Sequence, residues 1–300
     1  MLNLNCKRRL VLGTASFKSD YGFGNNFKLR KKELSKIFSY CFKEKILYID
    51  TSNKYELTNF LKYNKGLKKF KIILKINFNF QKNKNYNQLK KEIFSLVKNF
   101  LSKNKIKKLY CIMLHSENTM ISRNQIKIHN ILLSLKKIKL AEKIGISGYD
   151  LIKVSKIIKK FNFDILQFPY NLFDQRIDDK RLLKILKKKN IELHIRSIFL
   201  QGIFFIEFNK LPVYFHKWKN FFVKLKKIQI MKNLDILSLC LSHAFNLRYH
   251  KKKVIVGIKS FEHLNEIINS KIIKDVSFVK KIQSHEKKLI IPFLWKIKKK

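Results

Sequence analysis

Four residues of complementary chemistry follow one another along this chain: Asp50, Tyr55, Lys75 and His115. Each lies at or just past the C-terminal end of an apolar run that reads as a strand: ILYID (46–50), FKIILK (70–75) and LYCIMLH (109–115). In a barrel of parallel strands, the C-terminal strand ends make the active-site face. A carboxylate, a phenol, an amine and an imidazole gathered there form a proton-transfer device. Tyrosine is a poor acid at neutral pH, but a buried ammonium close by favours the phenolate. Lys75 supplies that charge, and Asp50 would hold Lys75 in place and keep it protonated. His115 would donate a hydrogen bond to a carbonyl oxygen, and Tyr55 would protonate that oxygen as a hydride arrives at the carbon. General acid catalysis and oxyanion stabilisation are each worth a factor of about 10² or more.

Each residue also has an ordinary explanation when taken alone. Asp50 before Thr51 can cap a helix, Tyr55 can be a packing tyrosine, and His115 can be a satisfied core histidine. Lys75 is one lysine among 59, yet it is the charged interruption in an otherwise Ile, Ile, Leu, Ile run. A lysine pointing into a barrel interior needs a partner, and Asp50 is on hand. Their joint placement at strand ends favours the functional reading.

The elements that must position these groups alternate in type. Short, nearly continuous apolar runs at 9–13, 47–50, 71–76, 108–114, 143–147, 165–169, 192–197 and 254–258 read as parallel strands covered on both faces. Between them, apolar residues recur at helical spacing over 32–44, 86–102, 126–140, 150–160, 179–189, 233–246 and 261–268. Eight strands alternating with helices over about 250 residues predict a (β/α)8 barrel, a TIM barrel. An open doubly wound sheet fits less well, because no GxGxxG follows the first strand. The long gap between 197 and 254 holds LQGIFF, LPVYFHKWKN and a further helix, so an extended loop and extra helices should cover part of the site. No linker or internal repeat divides the chain. It reads as one domain over 1–300, with 276–300 a tail carrying a short amphipathic helix, an apolar IIPFLW segment and a basic end, suited to capping the barrel or contacting a partner.

The net charge is +47, from 67 Lys and Arg against 20 Asp and Glu. Such a charge normally points to nucleic acid or an anionic surface. Only eight of the cations are Arg, however, and Lys, Ile, Asn and Phe are all abundant while Gly and Pro are scarce. That skew matches an A+T-rich coding bias, and phosphate and base readout leans on Arg. The expectation is a solvated lysine surface that attracts anionic ligands, without a specific nucleic-acid partner. The four cysteines, Cys6, Cys41, Cys111 and Cys240, form no CxxC pair and read as thiols in a reducing compartment. No metal set stands out. No run approaches 18 uninterrupted apolar residues and no cleavable leader is evident, so a soluble, cytoplasmic protein without membrane insertion is expected.

With these pieces in hand, the sequence resembles the aldo-keto reductase family over nearly its whole length. The opening LGTASFKSDYGFGNN (12–26) resembles the first-strand motif of a bacterial branch. DTSNKYE (50–56) resembles the family's DTAxxYG segment, with the step from Asp to Tyr intact. LHS (114–116), GISGYD (145–150), LQFPYNLFDQR (166–176), IRSIFLQG (195–202) and VIVGIKSFEHLNE (254–266) resemble the segments at strands four to eight. The resemblance implies NAD(P)H-dependent reduction of a small-molecule aldehyde or ketone, usually with NADPH and with NADH as the alternative. The cofactor would lie extended across the barrel mouth. It implies a catalytic tetrad of Asp50, Tyr55, Lys75 and His115. Ser147 and Gln167 would hold the carboxamide, Arg196 would stand where many members place an aromatic ring, and Ser197, Leu200 and Gly202 would line the diphosphate. Gly257, Lys259 and Glu266 would lie near the adenosine half. The branch is associated with sugar and surface-polysaccharide metabolism, so a sugar-like carbonyl is expected, contacted by the long loop after strand seven and by Phe17, Tyr21 and Tyr170.

The sequence departs from the family pattern at three places. Gly148 replaces the Asn that usually follows the strand-five Ser, Glu56 replaces the Gly after the tetrad Tyr, and His263 is nearest to the eighth-strand Arg that often grips a 2′-phosphate, with Lys259 the candidate to replace it as a point charge. Two other readings stay open at this level: a cofactor-binding regulatory or scaffold protein of the same fold, and a polyanion-binding protein. The substrate, the direction of reaction and the oligomeric state are not legible.

Overall fold

The computed structural model describes residues 1–17, 22–23, 29–55, 65–78 and 84–297. Eight strands, β1 (Leu10–Gly13), β2 (Tyr48–Ser52), β3 (Lys71–Ile76), β4 (Leu109–Leu114), β5 (Ala141–Ser147), β6 (Ile165–Pro169), β7 (Glu192–Arg196) and β8 (Lys252–Gly257), close in sequence order into one barrel. Every neighbouring pair is parallel, and β8 returns to β1 through Leu10↔Val254 and Gly13↔Gly257. This is the (β/α)8 barrel that the alternation predicts.

Side chains alternate across each strand, and the two faces feed different cores. Val11, Ile73, Cys111, Met113, Ile165 and Ile255 fill the barrel interior. Ile72, Leu74, Ile112, Leu166, Leu193 and Ile195 face outward and pack on the helices Lys31–Lys43, Tyr86–Lys103, Gln125–Lys137, Leu151–Lys160, Lys180–Lys188 and Phe261–Asn269. The helices start where short polar side chains cap them: Asn85 in a reciprocal capping box, and Asp150, Asp179 and Ser260 on the amides two or three residues on.

A third apolar cluster covers one side of the C-terminal end. It joins Leu172 and Phe173 of the β6 exit to Phe215 and Trp218 of the long segment after β7, to Leu239 on the helix Ile236–Asn246, and to Ile282, Leu289 and Ile290 of the tail. The tail therefore packs on the insertion, with Trp295 against Phe23 and Phe215 and Phe293 against Tyr149. The insertion adds the helix Lys219–Lys232, in line with the extra helices expected there. Several boundaries differ from the sequence reading: β2 runs on to Ser52, β5 starts two residues earlier at Ala141, and two further shifts have a clear cause. Arg9 ends an N-terminal helix, Leu4–Arg9, instead of opening β1, because Asn3 caps the Cys6 amide and starts a turn that the apolar pattern does not reveal. β8 begins at Lys252 rather than at 254, because ladder pairing with β7 extends back to Lys252 through two lysines. Tyr21, Glu56 and the end of the tail lie outside the described residues.

Candidate active site

The barrel register places the tetrad at one end. Asp50 pairs in register with Gly13 and Ile73, and Lys75 with Ser52 and Met113. Ile73 and Lys75 share the inward face of β3, so the one charge in that apolar strand points into the barrel. Asp50 meets it: Lys75 Nζ lies 2.6 Å from Asp50 Oδ2, with both side chains almost wholly buried. Gln167, at 0% exposure, completes the set by donating from Nε2 to Asp50 Oδ1 at 2.9 Å, while its Oε1 lies 3.5 Å from Lys75 Nζ and accepts from Ser147 Oγ at 3.3 Å. Burial alone would pull the Lys75 ammonium down. The attraction of Asp50, helped by Tyr55 and by the Asp50 hydrogen bond, more than reverses that and holds the amine above the ordinary lysine range.

Tyr55 follows β2 in a turn in which its amide donates to Ser52 O at 3.0 Å. Its ring lies 5.5 Å from Lys75 Nζ and meets the His115 ring edge-on, with centroids 6.3 Å apart. His115 stands just past β4, with its amide on Ile76 O and Ser52 Oγ 3.5 Å from Nδ1. Burial, then the positive charges of Lys75 and Arg196, push its pKa down from 6.5 to about 3. The imidazole is therefore neutral at working pH and retains one N–H to donate. All four tetrad residues thus converge on one mouth.

The other expected site residues divide by location. Ser147 and Gln167 lie in the tetrad network. Gln167's amide is already engaged by Asp50 and Ser147, so it stiffens the ion pair. Arg196 ends β7 with its guanidinium 4.0 Å from the Tyr149 ring centre, donating to Gly148 O at 3.1 Å and Ser197 Oγ at 3.3 Å. Ser197, Leu200, Gln201 and Gly202 all have positive φ, which makes a tight turn above β7. Phe23 N donates to Gln201 O at 3.0 Å and Lys259 Nζ to Phe23 O at 2.8 Å, so the β1, β7 and β8 exits are tied together. Gly257 sits beside Ser16 at the β8 exit, whereas Glu266 is exposed on the helix Phe261–Asn269. His263 accepts from the Lys259 amide through Nδ1 at 3.3 Å. Phe17 and Tyr170 are both buried, and Tyr170 stacks on His243 with centroids 4.3 Å apart.

The Gly148 departure has a steric cause. A Cβ at this position would fall 2.4 Å from Val154 Cγ2, so the usual Asn fits here only if the Val154 side chain or the helix that carries it shifts. Three residues that the sequence reading missed build this corner. Glu117, almost fully buried, accepts from the amides of Tyr149 at 3.1 Å and Asp150 at 2.9 Å. Arg176 donates to Tyr149 O and pairs with the wholly buried Asp174 at 2.8 Å. Tyr149 carries Arg196. The available signal was acid scarcity: with 20 carboxylates against 67 cations, an acid beside a strand end is a placed group.

A closed parallel barrel with a titratable cluster at its C-terminal mouth is an enzyme scaffold of the (β/α)8 class. A sequence model of the Aldo/keto reductase family matches residues 9–287. The chain belongs to the aldo-keto reductase family, an oxidoreductase family that generally uses NAD(P)H. Among solved structures it is similar to the holo form of an aldo-keto reductase from Bacillus halodurans, at 13% identity, covering 92% of each chain with a TM-score of 0.68. It is also similar to the glycerol dehydrogenase of Gluconobacter oxydans, at 14% identity, covering 95% of this chain and 92% of that one with a TM-score of 0.65. At such identities these likenesses speak for the fold alone. No curated protein matches the sequence significantly. No helix among the described residues is long and apolar enough to cross a membrane.

Proposed function

We propose that this protein reduces an aldehyde or ketone with NAD(P)H, using Tyr55 as the proton donor. The observation that carries the reading is the buried Asp50–Lys75 pair at 2.6 Å, placed beside the Tyr55 ring and the neutral His115. When bound, the dihydronicotinamide supplies the hydride to the carbonyl carbon. The chain's own groups handle the oxygen. The N–H of His115 orients it, and Tyr55 passes it a proton. Lys75, held charged by Asp50, stabilises the phenolate left behind.

The donor set at the mouth fits such a cofactor: the Ser147 hydroxyl and Gln167 amide for a carboxamide, the tight turn 197–202 for a diphosphate, and the Lys259 ammonium for a 2′-phosphate. Lys259 is held by Phe23 O, and burial lowers its pKa, so engaging a phosphate means exchanging that carbonyl for an anion. NADPH is the cofactor we assign, with NADH the comparison.

The test is a pair of measurements on one protein. Exchanging Tyr55 for Phe should lower carbonyl reduction by about 10²-fold or more, in the range of general acid catalysis, while fluorescence titration shows NADPH affinity unchanged. Activity that survives the exchange rules out Tyr55 as the acid. Failure to bind either dinucleotide leaves a scaffold role for the barrel instead.

A further inference from the structure

The end of the barrel away from the tetrad holds a cavity of about 770 Å³, within the size range of small-molecule sites. It opens among the N-terminal ends of the strands: Arg8 and Arg9 before β1, Tyr48 of β2, Tyr110 of β4, and Lys252 and Lys253 of β8. In this fold that face ordinarily serves stability, while chemistry sits at the other.

The charges here exceed what the cavity's own acids can pair. Seven Lys and Arg line the cavity against two carboxylates, and both carboxylates are already committed. Glu192 takes Lys143 at 2.6 Å, the Tyr110 hydroxyl at 2.7 Å and His194 at 2.8 Å. Asp164 takes Lys136 at 2.7 Å and the Ile144 amide. Neither Arg8 nor Arg9 has a carboxylate partner among the described residues. Lys253 sits 3.7 Å above the Tyr48 ring. Lys252 is buried and donates to Leu247 O at 2.6 Å, and burial followed by repulsion from Arg9 lowers its pKa to about 8. Two of the chain's eight arginines stand side by side at this rim. A scatter of lysines over solvated helices does not account for a concave surface that crowds like charges at close range around a buried amine. A bound polyanion does account for it, because it would neutralise the excess where the protein's own acids do not.

We propose that this cavity is a second ligand site, specific for a small anion bearing adjacent phosphate groups, with the Arg8 and Arg9 guanidiniums as its principal contacts. Planar guanidiniums can each grip a phosphate through two parallel hydrogen bonds, which a lysine cannot do. Lys253 and Lys45 add point charges at the rim. The volume of about 770 Å³ matches a small molecule rather than an extended nucleic-acid strand.

The test is isothermal titration calorimetry of the full chain with inorganic pyrophosphate at physiological salt. The Arg8→Ala/Arg9→Ala variant should bind at least about tenfold more weakly than the parent, and Arg8→Lys/Arg9→Lys should recover only part of that loss. Lys259→Ala, at the opposite mouth, should leave this binding event intact. Pyrophosphate should also raise the melting temperature of the parent and not of the Arg8→Ala/Arg9→Ala variant, which shows that the variant is folded and has lost the ligand. The proposal is overturned if affinity follows Lys259→Ala instead. It is equally overturned if a solvent-face change such as Lys139→Ala weakens binding as much as the arginine pair, or if only an oligonucleotide, and not pyrophosphate, responds to the arginines.

Discussion

Two lysines are buried to nearly the same depth at opposite ends of this barrel, Lys75 at 5% exposure and Lys252 at 6%, and they have opposite fates. At the C-terminal mouth, Asp50 and Gln167 form a closed circuit around Lys75, and the ammonium is held charged. At the other end, Lys252 has only backbone carbonyls as hydrogen-bond partners among the described residues, and burial, then repulsion from Arg9, brings its pKa down to about 8. Exposure is nearly equal, although Lys75 lies deeper in the protein; the larger difference is whether the fold also brings a carboxylate. One end places a scarce acid beside the buried amine. The other leaves more cations than carboxylates around its cavity.

The comparison can be broken most severely at Asp50. Asp50→Asn strands the Lys75 ammonium and should cost about 3–5 kcal/mol in urea unfolding. The double change Asp50→Asn/Lys75→Met should recover most of that loss, since an apolar pair of similar volume avoids the uncompensated charge. Additive losses would mean the pair is not the unit it is taken for here.

Next in size is the corner beside the tetrad. Gly148→Ala puts a methyl into Val154 Cγ2, where the ideal separation is 2.4 Å, and should cost about 1–3 kcal/mol. Adding Val154→Ala should relieve the clash, leaving mainly the loss of the valine's own packing. A Gly148→Ala protein that melts with the parent would show that this helix gives way easily.

Two buried histidines set a pH response. Burial, foremost, pushes both His115 and His243 from 6.5 to about 3. Below pH 6.5 the unfolded chain takes up protons that the folded chain refuses. Stability is therefore complete above that pH and declines as pH falls toward about 3, by about 1.4 kcal/mol per pH unit for each ring at the steepest. His243→Gln should halve the slope measured by urea unfolding between neutral and mildly acidic pH, and an unchanged slope would show that His243 is not the ring responsible. By the same logic, the reduction rate should show no limb from His115 near neutrality.

The smallest effect is expected at Lys252. With its pKa lowered, the unfolded chain binds the extra proton between about 8 and 10.5, so this residue makes stability rise as pH climbs through that window. Lys252→Met should remove the rise and leave stability at neutral pH equal or slightly higher, the reverse of what Lys75→Met does by stranding Asp50. A clear loss at Lys252→Met would mean that its bond to Leu247 O outweighs the crowding.

Much of the tetrad mouth was legible in the chain. Lys75 stood out as a charge in an isoleucine-rich strand, and Asp50, Tyr55 and His115 stood at strand ends. What surrounds them was not. Gln167 lies 117 residues from Asp50, and nothing local in LQF says that its amide will satisfy that carboxylate. Glu117 reads as part of a polar turn until the β5 exit is laid over it. The cation crowding at the far end was hidden for a related reason. Arg8, Lys143 and Lys253 look like members of one general lysine-rich background, and only the closure of β8 onto β1 brings the first and last of them to one rim.

The sequence by itself determined the alternation of strands and helices, the closure class of the sheet and the location of the reactive groups at strand ends. These follow from hydrophobic period and from the order of residues within a few turns of chain, which are local properties. Tertiary structure alone decided which charge meets which. The energy of an ion pair depends on a separation of a few ångströms and on how far water is excluded, and both are fixed only when the barrel closes. That closure gave Lys75 a carboxylate and gave Lys252 an arginine.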